Sequence, residues 1–355
     1  MSTRLSWALF PLLSTTLFLI DTITSFCYAI YLFVYADRYS VKAYELPYNT
    51  WGAFIIVITF VSSFIINIIT VLDRYDLSTL GTKQRVQKVL LCFVPHLYVI
   101  KACYRHMTGT LGDTLTLIET EWAGFTRLLQ GLSESVPQLI LQGYLVSFEV
   151  LRKGSTEYPS WVPVVSLSVC IINAAFGFTF YVVNKYYSQE MEKPLVWQRV
   201  CVALAAIFLL GGRGLAVGLM GSSWDMLWLA LLGLVTIFLL VFVYWTAKVR
   251  GRRGGPFYNL NSRFALSLME TFAVAVPLKW TIIVTVPYLS LSVAFVVQRH
   301  QDPLDWVFFC VPVVAQIIGL LLVLVCRDVY RKAYSVLTFS VLPPKPEVIQ
   351  PKTFD

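Results

Sequence analysis

The chain is 355 residues long, with 57% hydrophobic and only 14% charged residues. A soluble domain carries about a quarter charged residues, so this composition excludes an ordinary water-soluble enzyme and points to an all-α polytopic membrane protein. The apolar runs are continuous rather than alternating, which argues against an outer-membrane barrel. The net charge of +8 reads as cytoplasmic loop charge facing anionic lipid, with no nucleic acid as partner.

Residues 7–35 form the first apolar run. It is too long for a signal-peptide core and has no clear small-residue cleavage site, so it reads as a first span. Its middle carries Asp21, with Thr22, Thr24 and Ser25 close by. The second span is expected at 50–72, with Asn67 as its strong polar group. The loop that follows is basic through Arg74, Lys83, Arg85 and Lys88. By the positive-inside rule this loop and the N-terminus are cytoplasmic.

The run 89–104 is short, broken at Pro95-His96, and ends in Lys101 and Arg105. About fifteen apolar residues with a proline suit a re-entrant segment better than a full crossing. Residues 122–150 are long enough to cross with tilt, and 161–187 cross back. A charged loop around Lys185, Glu190, Glu192, Lys193 and Arg199 precedes a fifth span at 195–220, which holds Arg213 between glycines. A turn at Ser222-Ser223 leads into a span at 224–247. The patch Lys248, Arg250, Arg252, Arg253, Arg263 is the most basic in the chain.

The run 264–298 exceeds the roughly twenty residues of one crossing. Pro277, Lys279 and Pro287 cut it, so it divides into a re-entrant helix at 264–276 and a span at 279–298. The last span is expected at 306–326. Arg327, Arg331 and Lys332 then mark the cytoplasmic side. Placing all the basic loops inside requires two runs that fail to cross, and the proline-broken segments 89–104 and 264–276 are those two. The expected architecture is about eight spans with two re-entrant helices and both termini cytoplasmic. It forms one transmembrane domain over 1–335 and a short Pro-rich tail over 336–355. Val136-Pro137 and Val276-Pro277 echo each other, and an internal pseudo-repeat with broken helices would put a substrate site near mid-membrane.

The third span carries the sharpest signal, Glu134-Ser135-Val136-Pro137-Gln138-Leu139-Ile140-Leu141-Gln142. On a regular helix Arg127, Glu134, Gln138 and Gln142 fall within an arc of roughly 80°. A central charge facing lipid costs about 2.5–3.5 kcal/mol, so the stripe must face protein, water or a polar substrate. Pro137 lacks a backbone donor and presses on the carbonyl of Ser133, which predicts a kink.

The charges expected within the membrane are Asp21, Arg127, Glu134, Arg213, Glu270 and Lys279, joined by Gln138, Gln142 and Asn173. Two readings stay open. Asp21 or Glu134 could pair with Arg127 or Arg213, tying spans one, three and five together, because a lone buried charge is too costly. Alternatively, the set could form a polar track along which a charged group moves. Soluble-enzyme signatures are missing. His96, His106 and His300 are scattered, and there is no P-loop, H-E-x-x-H or G-x-S-x-G. Neither cofactor nor metal is expected. The seven cysteines lie mostly in apolar runs without a C-x-x-C pair and read as small buried hydrophobes.

The phrase E-S-V-P-Q-L at 134–139 resembles the characteristic phrase of the XK and XK-related proteins. Leu19-Ile20-Asp21 is similar to the first helix of that family, in which a second acid often follows one turn later; Ser25 stands there in this chain. His96-Leu97-Tyr98 with Cys103-Tyr104-Arg105, and Arg213-Gly214-Leu215-Ala216-Val217, resemble further family phrases in the same order. The resemblance covers about the first 220 residues. It implies eight spans with two re-entrant helices, and ATP-independent phospholipid scrambling at the plasma membrane with exposure of phosphatidylserine. Some members act after caspase removal of a C-terminal tail in apoptosis. It further implies that Asp21, Arg127, Glu134 and Arg213 make headgroup steps along a polar path, with Gln138 and Gln142 beside them and Glu270 and Lys279 as secondary candidates. Some relatives pair with a single-span accessory protein or a lipid-transfer protein. Asp355 is the only aspartate after Asp328, so caspase activation of this chain is not expected, while 336–355 are placed to plug the cytoplasmic mouth. A small-solute transporter or channel, and a non-catalytic scaffold that binds a partner protein, are the competing readings.

Overall fold

The computed structural model describes residues 2–35, 47–74, 81–84, 86, 108, 124, 127–128, 130–152, 161–190, 194–223, 278–299 and 303–334. Every regular element among them is helical. The helices are α1 (Ser2–Tyr35), α2 (Tyr48–Arg74), α3 (Val136–Arg152), α4 (Trp161–Glu190), α5 (Val196–Ser223), α6 (Leu278–Arg299), α7 (Pro303–Val325) and α8 (Arg327–Tyr334). A five-residue π-turn, Gly131–Ser135, leads into α3. Among the described residues three segments are single helices long and apolar enough to cross a bilayer, Thr15–Val34, Trp161–Asn184 and Val196–Gly221. The expected re-entrant segments 89–104 and 264–276, the expected span 224–247 and the tail 336–355 lie outside the described residues.

Burial is inverted relative to a water-soluble bundle. Leu19 and Ile20 are 52% and 41% exposed, whereas the neighbouring Asp21 is 1% exposed. The same holds on α7, where Val314, Ile317, Leu321 and Leu324 face outward while Gln316 is buried. In water this arrangement would waste about 25 cal/mol for every Å² of apolar surface left wet. In lipid it keeps polar groups from a solvent that cannot hydrogen-bond them. Hydroxyls along the helices return to their own backbone, as Thr16 donates to the Leu12 carbonyl and Thr24 to that of Asp21. That satisfies them without a partner helix.

Two apolar clusters hold the bundle. One joins α4, α5, α7 and α8 through Phe178, Val202, Leu209, Val323 and Tyr330; the other joins α1, α2 and α3 through Tyr28, Ile55, Tyr144 and Phe148. Close approach depends on glycine at two seams. A Cβ on Gly218 of α5 would come within 2.6 Å of the Gly143 backbone of α3. A Cβ on Gly177 of α4 would come within 2.8 Å of the Arg127 carbonyl. Small residues let membrane helices gain dispersion contacts that larger ones would prevent.

The last helix departs from the sequence expectation. Where charged residues and then a tail are expected after the final span, the chain bends by 71° and continues as α8. Val329, Tyr330 and Ala333 are buried against the bundle, while Arg327, Asp328, Arg331 and Lys332 are exposed. The apolar residues recur at helical spacing, so the segment buries one stripe and keeps its charges outside.

A candidate polar site inside the bundle

The site is built around Asp21, which α1 carries inward. Its Oδ2 accepts hydrogen bonds from Asn173 Nδ2 at 2.6 Å and from Ser135 Oγ at 3.0 Å, and its Oδ1 accepts one from Cys170 Sγ at 3.0 Å. Asn173 also donates to Ser135 Oγ at 3.1 Å. Its carbonyl oxygen accepts from Arg127 Nη2 at 2.6 Å. Arg127 Nη1 donates to Gln130 Oε1 at 2.9 Å, and Gln130 Nε2 passes the chain on to Glu134 Oε2 at 3.0 Å. Arg127 thus lies in the field of both acids, and the Phe18 ring covers its guanidinium at 5.8 Å.

One turn along, Gln138 repeats the pattern with neutral partners. Its Nε2 donates to Thr59 Oγ1 of α2 at 2.6 Å, and its Oε1 accepts from Ser25 Oγ of α1 and from Cys170 Sγ of α4. Thr59 donates onward to the Ile55 carbonyl. The network therefore draws on α1, α2, α4 and the helical run through α3. Asp21, Arg127, Glu134 and Gln138 are all essentially unexposed. Burying an acid or a base alone is expensive, and a ring of fixed donors and acceptors between the charges offsets that cost.

A π-turn leads into α3. Val136 N–H bonds to the Gly131 carbonyl, five residues back, immediately before Pro137. The wide turn slips the helical register by about one residue, a rotation of about 100°. Glu134, Ser135 and Val136 are all buried, because the bundle encloses the chain on most sides here. On a regular helix Ser135 falls about 20° beyond Gln142, at the edge of the polar stripe, so the 3.6-residue period reaches it as well.

Arg213 belongs to a second group. Its Nη2 donates to Thr285 Oγ1 of α6 at 2.8 Å, and its guanidinium lies 5.3 Å from the Tyr288 ring. Thr285 donates to the Thr281 carbonyl. Gly212 beside it receives α7, with Gln316 Cγ 2.9 Å from where a Cβ would sit. The hydrogen bonds of the network tie α1 to the run into α3 and bring in α2 and α4, while that of Arg213 reaches α6. Asn173 and Cys170 are what the sequence reading left without a partner; their spacing of three residues on one helix face was the available signal. Gln142 is fully buried on α3, but neither end of its amide has a hydrogen-bond partner. Lys279 falls in the first turn of α6, and Glu270 lies outside the described residues. Among the described residues no three His, Cys, Asp or Glu side chains come together as metal ligands. The arrangement can hold charge and hydrogen-bond a polar group.

A family model described as XK-related protein matches residues 9–343, and the chain belongs to that family. Among curated proteins none matches it.

Proposed function

We propose that this XK-related chain moves phospholipids between bilayer leaflets without ATP, exposing phosphatidylserine at the plasma membrane. The observation that carries the reading is a charged, hydrogen-bonded network of Asp21, Arg127, Glu134 and Gln138 inside a bundle whose outer surface is apolar. Intramembrane ionisable groups of this kind mark polar pathways more often than not. In this reading Arg127 and Arg213 attract the headgroup phosphate, and Asp21 and Glu134 keep it from binding too tightly. The side chains are enclosed in this conformation, so headgroups reach them only after helices separate along the network. Eight spans, two re-entrant segments and cytoplasmic termini belong to the same proposal. So does an accessory single-span or lipid-transfer partner.

The test is reconstitution of the full chain into liposomes with a tail-labelled fluorescent phospholipid. Inner-leaflet probe should become accessible to dithionite faster than in empty vesicles, and Glu134→Gln should slow that bleaching at least several-fold. No gain over empty vesicles overturns scrambling. A Glu134→Gln rate equal to wild type removes the network from the path.

A further inference from the structure

The polar ladder has a third rung that the hydrogen-bonded network does not reach. On the seam between α3 and α4, Ser135 meets Asn173 and Gln138 meets Cys170. The helices run antiparallel, so three residues forward on one match three back on the other. The next step is four forward to Gln142 and four back to Ser166. Both are completely buried. Gln142 Nε2, Gln142 Oε1 and Ser166 Oγ have no hydrogen-bond partner, and so do not bond one another. The same register places Ile55 of α2 one turn from Thr59, and Ala29 of α1 one turn from Ser25; both are apolar and buried. Two fully bonded rungs thus end on one that offers two donors and one carbonyl acceptor among apolar walls. Burying such a group without a partner is costly. A ligand supplying the missing partners would regain much of that.

We infer that Gln142 and Ser166 form a headgroup-selecting niche in which Gln142 Nε2 and Ser166 Oγ hold a phosphate oxygen and Gln142 Oε1 takes an N–H from a primary ammonium. The inference rests on the scrambling reading for its place in a path, but not for the binding itself. Ethanolamine and serine headgroups carry three N–H donors on a primary ammonium. Choline carries none, so with a choline lipid the Gln142 carbonyl stays unsatisfied. A site built to hydrogen-bond a donor discriminates against the analogue lacking it. The niche therefore favours ethanolamine and serine lipids over choline lipids.

Two measurements on the full chain test this. In proteoliposomes, ethanolamine and choline lipids with identical labelled tails are compared by dithionite bleaching. The expected ratio of rates is about fivefold in favour of ethanolamine, the factor that one neutral hydrogen bond supplies. Gln142→Met, which keeps the volume and removes both orphan groups, should bring the ratio to about one. Gln142→Leu, which also removes the carbonyl acceptor, serves if that variant folds poorly; Ser166→Ala removes a phosphate donor common to both lipids and should slow both while the ratio stays at about fivefold. Separately, detergent-purified protein is offered both lipids at equal concentration, and the retained lipid is weighed by native mass spectrometry. Enrichment of the ethanolamine lipid that Gln142→Met abolishes supports the niche, even where neither lipid crosses the bilayer; that outcome overturns scrambling alone. Equal retention of the two lipids by wild type, or enrichment that survives both Gln142 substitutions, overturns the niche and leaves the rung as a place for buried water.

Discussion

The two buried arginines differ in how the bundle accommodates them. Arg127 is bridged through amides and hydroxyls to a set that holds Asp21 and Glu134, with partners from α1, α4 and the run into α3. Arg213 is met by a neutral hydroxyl and an aromatic face on α6, and sits where glycines of α5 let α3 and α7 pack closely. The first arrangement distributes charge over a network whose members constrain one another. The second shields a cation by packing and a ring quadrupole. Equal burial therefore does not mean equal consequence when the charge is removed.

The largest expected effect follows from that difference. Arg127→Met takes a cation away from Asp21 and Glu134 and should cost about 3–5 kcal/mol, whereas Arg213→Met removes a contact to the Thr285 hydroxyl and the Tyr288 ring and should cost less. Thermal unfolding of both variants in one detergent checks the order, and equal losses would erase the distinction. Next comes the packing on which the Arg213 region depends. Gly218→Val drives a branched side chain into the Gly143 backbone and should cost about 3 kcal/mol, read as lost monodisperse protein on size exclusion. Gly218→Ala should be milder but still destabilising. The smallest effect belongs to the network's weakest donor. Cys170→Ala removes two thiol contacts and should cost less than about 1 kcal/mol, against about 1–3 kcal/mol for Asn173→Leu, which breaks two strong hydrogen bonds of the network. Asn173→Leu is the costlier because it removes one of two donors to Asp21 Oδ2, the other being Ser135, and also the acceptor of Arg127 Nη2; if Cys170→Ala proves costlier, the thiol is bearing more of Asp21 than its donor strength permits.

Much of the site was legible without coordinates. The energetic cost of a carboxylate and two amides in an apolar run singled out the stretch from Glu134 to Gln142, and the 3.6-residue period placed Arg127, Glu134, Gln138 and Gln142 on one face. All four are buried. Asp21 was found by the same reasoning. Three features escaped it. Ser135, at the edge of the stripe, is the hydroxyl that donates to Asp21. Ser25, which reads as a missing acid, is the hydroxyl that holds the Gln138 carbonyl. Cys170, which reads as a small hydrophobe, donates to Asp21. Each of these is a weak polar residue whose role depends on what stands opposite.

Composition and periodicity were enough to establish a helical membrane protein with a polar interior, because lipid penalises every exposed charge in the same way wherever it occurs. The family followed from one phrase, E-S-V-P-Q-L, in its order among others. Partnership was decided by the tertiary structure. Which arginine joins the acids, which helix supplies Asn173, and why Gln138 is satisfied while Gln142 is not all depend on the register between helices. Hydrogen bonds form over about 3 Å, whereas the helical period places a side chain on a face without saying what lies across from it.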